Sequence, residues 1–161
     1  TMTKTRPATK ARARKRARQK PVIGWREWVT LPDLGGPAIK AKIDTGARTS
    51  ALHAFRIRPF EKNGVPHVAF FVHPVQHRKR PEIACEAPIL EQRAVKSSNG
   101  QSEMRYVIET RAVLGDKTFS IELTLTNRDE LGFRMLIGRE ALRGRFLVDS
   151  GKSYRAGKTP S

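Results

Sequence analysis

The run Asp44-Thr45-Gly46-Ala47 carries the clearest chemical signal in this chain. It follows an apolar strand end at Ile43, which can bury and fix a loop. Asp44 offers a carboxylate that can activate a water molecule for hydrolysis, and the Thr45 hydroxyl can brace the loop. Gly46 permits close backbone approach and unusual dihedral angles. Because Asp-Thr-Gly is also an ordinary turn, its meaning depends on the rest of the chain.

A catalytic loop needs a scaffold, and a second motif lies 94 residues after Asp44, counted to Gly138. Three apolar residues, Met135-Leu136-Ile137, run into Gly138 and Arg139. A short helical pattern follows over residues 139–142. The order is therefore an apolar strand, a glycine and a helical turn.

A competing Asp-Ser-Gly triplet occurs at Asp149, again after an apolar run. Only ten residues follow Gly151, which is too few to build a second scaffold. A terminal strand and turn is the better interpretation of this segment, so we do not assign Asp149 a catalytic role.

The elements that must position Asp44 are mostly β-strands. Residues 38–43 alternate between apolar and lysine side chains, which predicts a half-buried strand. Apolar runs separated by turn residues predict strands over 25–31, 38–43, 50–57, 65–75, 82–93, 105–114, 118–126 and 146–148, with a break at Pro88. Residues 105–114 and 118–126 form the clearest hairpin, and residues 139–142 form a short helix ending near Gly144. The expected fold is an all-β, small closed or partly open antiparallel barrel with one short C-terminal helix.

Charge divides the chain into an arm and a domain. The formal net charge is +17, and residues 1–20 contain nine basic residues and no acidic one. Such a block repels itself, so we expect a disordered basic arm over 1–20 and a basic domain over 21–154. Residues 155–161 are expected to be a disordered C-terminal tail. The arm is either a solubilising tail or a contact to the phosphates of RNA or the ribosome.

Composition also limits the compartment. The single cysteine, Cys85, excludes an internal disulfide and fits a reducing environment. No apolar run approaches the roughly 18 residues of a membrane span, and no apolar signal-peptide core follows the basic arm. We therefore expect a cytoplasmic protein with no membrane contact.

Three segments together carry a resemblance to a known family. They are AKIDTGARTSALHA at 41–54, VKSSNGQSEMRYVIET at 95–110 and RMLIGREALRGRFLVD at 134–149. From about Gly24 to Tyr154 the chain resembles the retropepsin-like aspartic peptidases, and more specifically the bacterial RimB-type family. The two main motifs are more widely spaced than in viral enzymes, so an insertion is expected within 56–92.

The resemblance implies an aspartic endopeptidase. Asp44, Thr45 and Gly46 would form the catalytic loop, supported by Ile137, Gly138 and Arg139. Such enzymes use two carboxylates that share one proton. Because this chain offers one convincing Asp, a homodimer with Asp44 from each subunit is implied.

The middle segment predicts a hairpin, because Asn99-Gly100 lies between extended arms. By position it would be the flap, a lid that closes over substrate, with Ser97, Ser98, Asn99 and Gly100 contacting the peptide. An ordinary exposed hairpin is the alternative.

The substrate is expected to be acidic. Ala47 and Arg48 would line the cleft, and Arg48 is either a clamp for a substrate carboxylate or a surface arginine paired with a carboxylate of the chain. The resemblance further implies trimming of glutamate residues added to the tail of a small-subunit ribosomal protein.

The family is often labelled as ATP-dependent zinc proteases, but the sequence supports neither zinc nor ATP. It has no His-Glu-x-x-His motif and no Gly-x-x-x-x-Gly-Lys-Ser/Thr loop. His73 and His77 would lie about 13 Å apart on a strand, too far to share an ion. We therefore expect no cofactor and no metal. Two alternatives remain open, a non-catalytic basic β-barrel adaptor that binds RNA or the ribosome, and a zinc metallopeptidase.

Overall fold

The structure, a computed structural model, describes residues 19–96, 99–127 and 132–157. Eleven strands are assigned in these ranges: β1 (Val22–Ile23), β2 (Arg26–Thr30), β3 (Ala38–Asp44), β4 (Ser50–His53), β5 (Phe55–Lys62), β6 (Val65–Val72), β7 (Ile83–Lys96), β8 (Ser102–Leu114), β9 (Lys117–Thr126), β10 (Met135–Gly138) and β11 (Leu147–Val148). A 3-10 helix spans Pro32–Leu34, and helix α1 spans Arg139–Leu142. The predicted all-β class with one short helix near the C-terminus is confirmed.

Nine strands form one sheet in the order β2-β3-β10-β4-β9-β8-β7-β6-β5. Thr30 of β2 also pairs with Val113 of β8, so the first six strands in this order close into a ring. Strands β7, β6 and β5 extend beyond the ring as an antiparallel edge, and they occupy most of the segment 56–92 where an insertion was expected.

The sheet is mixed, whereas we expected antiparallel pairing throughout. Strand β10 lies parallel to β3, and β4 lies parallel to β9. Parallel partners need a crossover connection, and the long distance in sequence between β3 and β10 provides one.

Alternation along β3 places its core face as predicted. Ile39, Ala41 and Ile43 are buried, whereas Lys40 and Lys42 are half-buried on the opposite face. The core continues through apolar residues of β9 and β10, including Leu123 and Ile137. Strand β3 is thus fixed by burial on one face and by paired neighbours on both edges.

Two predicted strands differ from the observed ones. The strand expected over 50–57 is interrupted at Ala54, where the chain leaves β9 and begins the β5–β6 hairpin. Pro88 was expected to break a strand but lies within β7. It is the last residue of β7 paired with β6, and Ile89 is the first paired with β8, so its missing N–H falls at the exchange of partners.

The C-terminal boundary also differs from the prediction, because Arg155 and Ala156 belong to the folded unit. Their backbone N–H groups donate to the carboxylate of Glu27, at 2.8 and 3.0 Å. Glu27 is fully buried and also accepts a hydrogen bond from the Gly24 N–H. Hydrogen bonds between residues so far apart in sequence have no local sequence signature. The predicted boundary between domain and tail, at residue 154, was therefore too early.

Other predictions concern residues that the structure does not describe. These are most of the basic arm, over 1–18, the flap residues Ser97 and Ser98, and the end of the tail over 158–161. Within the described ranges, no helix has the length and apolar character needed to cross a membrane.

Candidate active site

Asp44 lies at the C-terminal end of β3, in the middle of the closed part of the sheet. Its Cα is in register with Gly138 of β10, and Lys42, two residues before it, pairs with Arg26 of β2. The backbone leading to Asp44 is therefore held on both edges, and it can present the carboxylate in a fixed direction.

The residues after Asp44 form a tight turn. The Gly46 N–H donates to Asp44 Oδ1 at 3.0 Å, and the Ala47 N–H donates to the Asp44 carbonyl at 3.2 Å. Thr45 and Gly46 are exposed, and Asp44 is partly exposed. A backbone donor thus orients one carboxylate oxygen while the loop remains open to solvent in the single chain.

Strand β10 and helix α1 fix this turn through hydrogen bonds. The Arg139 N–H donates to the Ala47 carbonyl at 2.8 Å, and Arg139 Nη1 donates to the Gly46 carbonyl at 3.1 Å. Ile137, which is fully buried, is in register with Ile43. The structure therefore brings together the two motifs that the sequence separates by some 90 residues.

Gly138 fits this position because no side chain could. A Cβ there would lie 2.4 Å from the Thr49 carbonyl oxygen and 2.9 Å from the Ala47 carbonyl oxygen. The absence of a Cβ lets the two backbones touch, and the close contact fixes the loop relative to β10.

Ser50 is a supporting residue that the sequence analysis did not assign. It is buried, and its Oγ accepts a hydrogen bond from the Gly138 N–H at 3.0 Å. The sequence did contain a clue to this role. Ser50 lies six residues after Asp44 at the start of a predicted strand, and a buried serine hydroxyl needs a hydrogen-bond partner.

Arg48 is paired within the chain. Its Nε donates to Glu140 Oε1 at 2.8 Å, and the two side chains are 74% and 45% exposed. The hydrogen bond from Arg48 lowers the pKa of Glu140 below its ordinary value, and Glu140 raises the pKa of Arg48. This geometry matches the alternative in which Arg48 pairs with a carboxylate of the chain and links the loop to α1.

A polar cleft of about 300 Å³ is lined by Thr49 and Ser50, which follow the loop in sequence. Arg93 and Glu140 also line it, but Asp44 does not. The cleft therefore does not contain the carboxylate that the sequence singles out.

The predicted hairpin of residues 95–106 is formed by β7 and β8, which pair up to Lys96 and Ser102. At its tip, Gly100 has a φ of 86°, and the Gln101 N–H donates to Asn99 Oδ1 at 3.1 Å. The position φ > 0 is the one that an Asn-Gly turn requires. Its role as a flap stays a prediction.

Asp149 shows what a similar triplet, Asp-Ser-Gly, does without a scaffold. The Gly151 N–H donates to Asp149 Oδ1 at 3.0 Å, which reproduces the turn at Asp44. However, β11 is two residues long, and in the described part of the chain it pairs with β1 alone. The turn geometry is therefore common to both segments, and the support by β10 and α1 distinguishes Asp44.

The histidines form ring contacts. The rings of His53 and His73 lie 6.1 Å apart, and His73 stacks on Phe55 at 4.1 Å. Within residues 19–96, 99–127 and 132–157, no three His, Cys, Asp or Glu side chains converge as a metal site would require. Burial raises the pKa of the Cys85 thiol to about 11, which disfavours the thiolate that binds zinc. The residues in these ranges therefore do not fit a zinc centre.

Comparison with known proteins agrees with this geometry. A family model described as "RimB-like: Retropepsin-like aspartic endopeptidase RimB" matches residues 22–159. A crystal structure of a Legionella pneumophila protein of unknown function superposes with a TM-score of 0.68 at 29% identity, covering 86% of this chain and 99% of that one.

Curated relatives are longer than this chain. Proteins named "Probable alpha-L-glutamate ligase" are 50% identical over 137 residues in Shewanella pealeana and 51% identical over 139 residues in Parasynechococcus marenigrum. These matches cover 85% and 86% of this chain but 30% of each relative, so the chain spans less than a third of their length. The family match covers nearly the whole folded domain, and the chain therefore belongs to the RimB-like family of retropepsin-like aspartic endopeptidases.

Proposed function

We propose that this protein hydrolyses peptide bonds with Asp44 as the catalytic carboxylate. One observation carries the proposal: Asp44 is oriented by the Gly46 N–H on an exposed loop that Gly138 and Arg139 fix to the sheet. A rigid support for an exposed carboxylate is what general acid–base catalysis requires.

The chemistry needs two such carboxylates. Two of them about 3 Å apart share one proton, because both cannot ionise easily. The ionised carboxylate takes a proton from water, and the water oxygen attacks the peptide carbonyl carbon. The protonated carboxyl group donates to the carbonyl oxygen, and the C–N bond then breaks as the amine is protonated. No metal or nucleotide takes part in these steps.

A homodimer would supply the second Asp44. The exposure of Thr45 and Gly46 in the single chain leaves room for a second copy at the loop. Val22 and Leu147, which are in register on β1 and β11, are 40% and 54% exposed and offer apolar surface for association with a second copy. Two-fold symmetry brings equivalent residues together at the axis, as a carboxylate dyad requires.

We further propose that the substrate is a glutamate-rich tail, such as the glutamate-extended tail of a small-subunit ribosomal protein. Relatives named as probable alpha-L-glutamate ligases contain a segment about half identical to this chain. The occurrence of this domain within proteins named for joining glutamate supports a role in removing it.

The decisive experiment incubates purified protein with a ribosomal protein carrying a poly-glutamate tail and follows tail length by mass spectrometry. Wild-type protein should shorten the tail, Asp44→Asn should not, and a chelator should have no effect. Asp149→Asn is the matched control, because it alters the same kind of turn without the scaffold, and it should retain activity.

Each other outcome favours a different function. Loss of activity with the chelator, together with an active Asp44→Asn variant, would identify a metallopeptidase. If wild-type and Asp44→Asn leave the tail equally untouched but both bind ribosomes, the protein is a non-catalytic adaptor, and the peptidase proposal fails.

A further inference from the structure

The face of β3 that carries Asp44 also carries a row of cations. Burial alternates along β3, so Lys40, Lys42 and Asp44 lie on the same face, opposite Ile39, Ala41 and Ile43. Side chains two residues apart on a strand are separated by about 6.6–6.8 Å. Lys42 is therefore the nearest cation on this strand face to the catalytic carboxylate, and Lys40 is one step further.

Strand β2 adds a third cation to this face. Arg26 is directly opposite Lys42 in the antiparallel register, and Trp28 is opposite Lys40. Opposite residues of this kind have Cβ atoms about 5 Å apart, and like charges in that position destabilise a sheet. Among the described residues, none of the ion pairs includes Arg26, Lys40 or Lys42. We call these three residues the basic face.

Aromatic rings contact two of the three residues of the basic face, Arg26 and Lys40. The Arg26 guanidinium lies 4.8 Å from the Trp25 ring centroid and 5.1 Å from that of Tyr154, and its Nε donates to Ser153 Oγ at 3.1 Å. Lys40 Nζ lies 5.7 Å from the Trp28 ring centroid. Cations braced by rings keep their charge and lose little entropy when an anion binds.

Trp25 connects this arrangement to the catalytic loop. Its carbonyl accepts a hydrogen bond from the Ile43 N–H at 2.7 Å, one residue before Asp44. Its ring also packs edge-on against Phe133, two residues before β10, at 5.9 Å. The basic face thus begins beside Asp44, whereas Arg48 on the other side of the turn is already paired with Glu140.

We propose that the basic face binds carboxylates of an acidic peptide whose scissile bond lies at Asp44, with Lys42 as the main specificity-determining residue. This inference rests on the proposed function and assigns its substrate contacts. In an extended peptide, side chains i and i+2 point the same way and repeat at the spacing of Lys42 and Lys40. Two substrate carboxylates could therefore meet the two lysines together, and an anion between Arg26 and Lys42 would relieve their repulsion.

The test measures binding without hydrolysis. In an Asp44→Asn background, fluorescence anisotropy compares labelled peptides of six glutamates and six glutamines at low salt. The glutamate peptide should bind more tightly, and Lys42→Gln should weaken it about ten-fold, the loss expected for one charge-assisted hydrogen bond. Lys42→Arg should restore binding. Lys62→Gln removes the same charge at the β5 edge and should have little effect.

Equal binding of both peptides, or equal loss with Lys42→Gln and Lys62→Gln, would overturn the inference. The inference would also fail if Lys42→Gln weakened the binding of single-stranded RNA but left the affinity for the glutamate peptide unchanged. A wild-type protein that binds the glutamate peptide through Lys42 but never cleaves it would contradict the peptidase proposal alone.

A stability measurement gives a readout that a merely structural lysine would not produce. Lys42→Thr removes the like-charge opposition to Arg26 at a half-buried strand position. Its melting temperature should rise by about 1–3 °C as its affinity for the glutamate peptide falls. A variant that loses both stability and binding would indicate that Lys42 supports the fold instead.

Discussion

At the scale of single residues, the candidate site depends on a few short contacts around the Asp44 loop. Gly138 allows two backbones to touch, and Arg139 bonds two carbonyls of the loop. Asp44 gains its orientation from the Gly46 N–H. Asp-Thr-Gly at 44–46 and Asp-Ser-Gly at 149–151 form similar turns, and these contacts explain why only the first is fixed to a second strand and a helix.

Gly138→Ala should inactivate the protein and destabilise it by about 3 kcal/mol, because the new Cβ would overlap the Thr49 carbonyl. Chemical denaturation would measure the loss. Gly144→Ala is the matched control: its Cβ meets nothing within 4 Å, and its φ of 79° accounts for a cost of about 1 kcal/mol. Similar losses in both variants would show that the contact at Gly138 is unimportant.

Arg48 and Glu140 should act as a pair. Arg48→Gln and Glu140→Gln should each lower kcat by loosening the link between loop and helix, and the double variant should be no worse than either single one. Steady-state kinetics on an acidic peptide would measure the cycle. If Arg48→Gln alone raised KM, Arg48 would be the substrate clamp instead.

At the scale of elements, buried and surface carboxylates fix the ends of strands. The Glu27 carboxylate of β2 accepts hydrogen bonds from the N–H groups of Gly24, Arg155 and Ala156, and so attaches the C-terminal segment to β2. Asp33, the middle residue of the 3-10 helix, accepts two hydrogen bonds from Arg111 of β8. Both contacts support the β2–β3 pair that leads to Asp44.

Glu27→Gln should lower the free energy of unfolding by about 2 kcal/mol. Its amide NH₂ would face backbone N–H groups whose hydrogen bonds the carboxylate now accepts. A fall in melting temperature of about 4–8 °C is expected. The exposed Glu61→Gln should change it little. A Glu27→Gln protein as stable as wild type would mean that water can replace the hydrogen bonds to the Glu27 carboxylate.

Asp33 provides a pH test. The hydrogen bond from Arg111 lowers the pKa of Asp33 below its ordinary value. A carboxylate with a lowered pKa in the folded state stabilises above its unfolded pKa, and this contribution disappears as pH falls through the folded pKa. Asp33→Asn should therefore melt below wild type at neutral pH, and the difference should vanish progressively below about pH 4. A difference that does not depend on pH would rule out the ionic contribution.

At the scale of the whole molecule, the folded unit is a partly closed sheet with one exposed loop that carries Asp44. The proposed chemistry needs two loops, so activity should depend on association.

Mixing supplies the test. With about nine Asp44→Asn chains per wild-type chain, random pairing leaves about one wild-type chain in ten with a wild-type partner, so activity should fall about ten-fold. Diluting wild-type protein should also lower its specific activity. Asp149→Asn chains mixed in the same ratio should cause no loss. Activity unaffected by either treatment would indicate that one chain suffices.

Much of this architecture could be predicted because its causes are local. Apolar alternation predicted β3, turn residues predicted the β8–β9 hairpin, and the glycine followed by a helical pattern predicted α1. The Asp44 loop and its partner motif were likewise evident in the sequence. Each of these depends on neighbouring residues, which a sequence states directly.

Only the tertiary structure decided which distant groups meet. It paired Arg48 with Glu140, placed Ser50 beneath Gly138, enclosed Glu27 with the C-terminal segment and set Arg26 against Lys42. These contacts follow from strand register and from connections of up to 129 residues, and a shift of one residue in register would have turned each strand face over. The sequence therefore determined the Asp44 loop and its partner motif, because both depend on neighbouring residues, whereas the fold decided which distant side chains pair with each other.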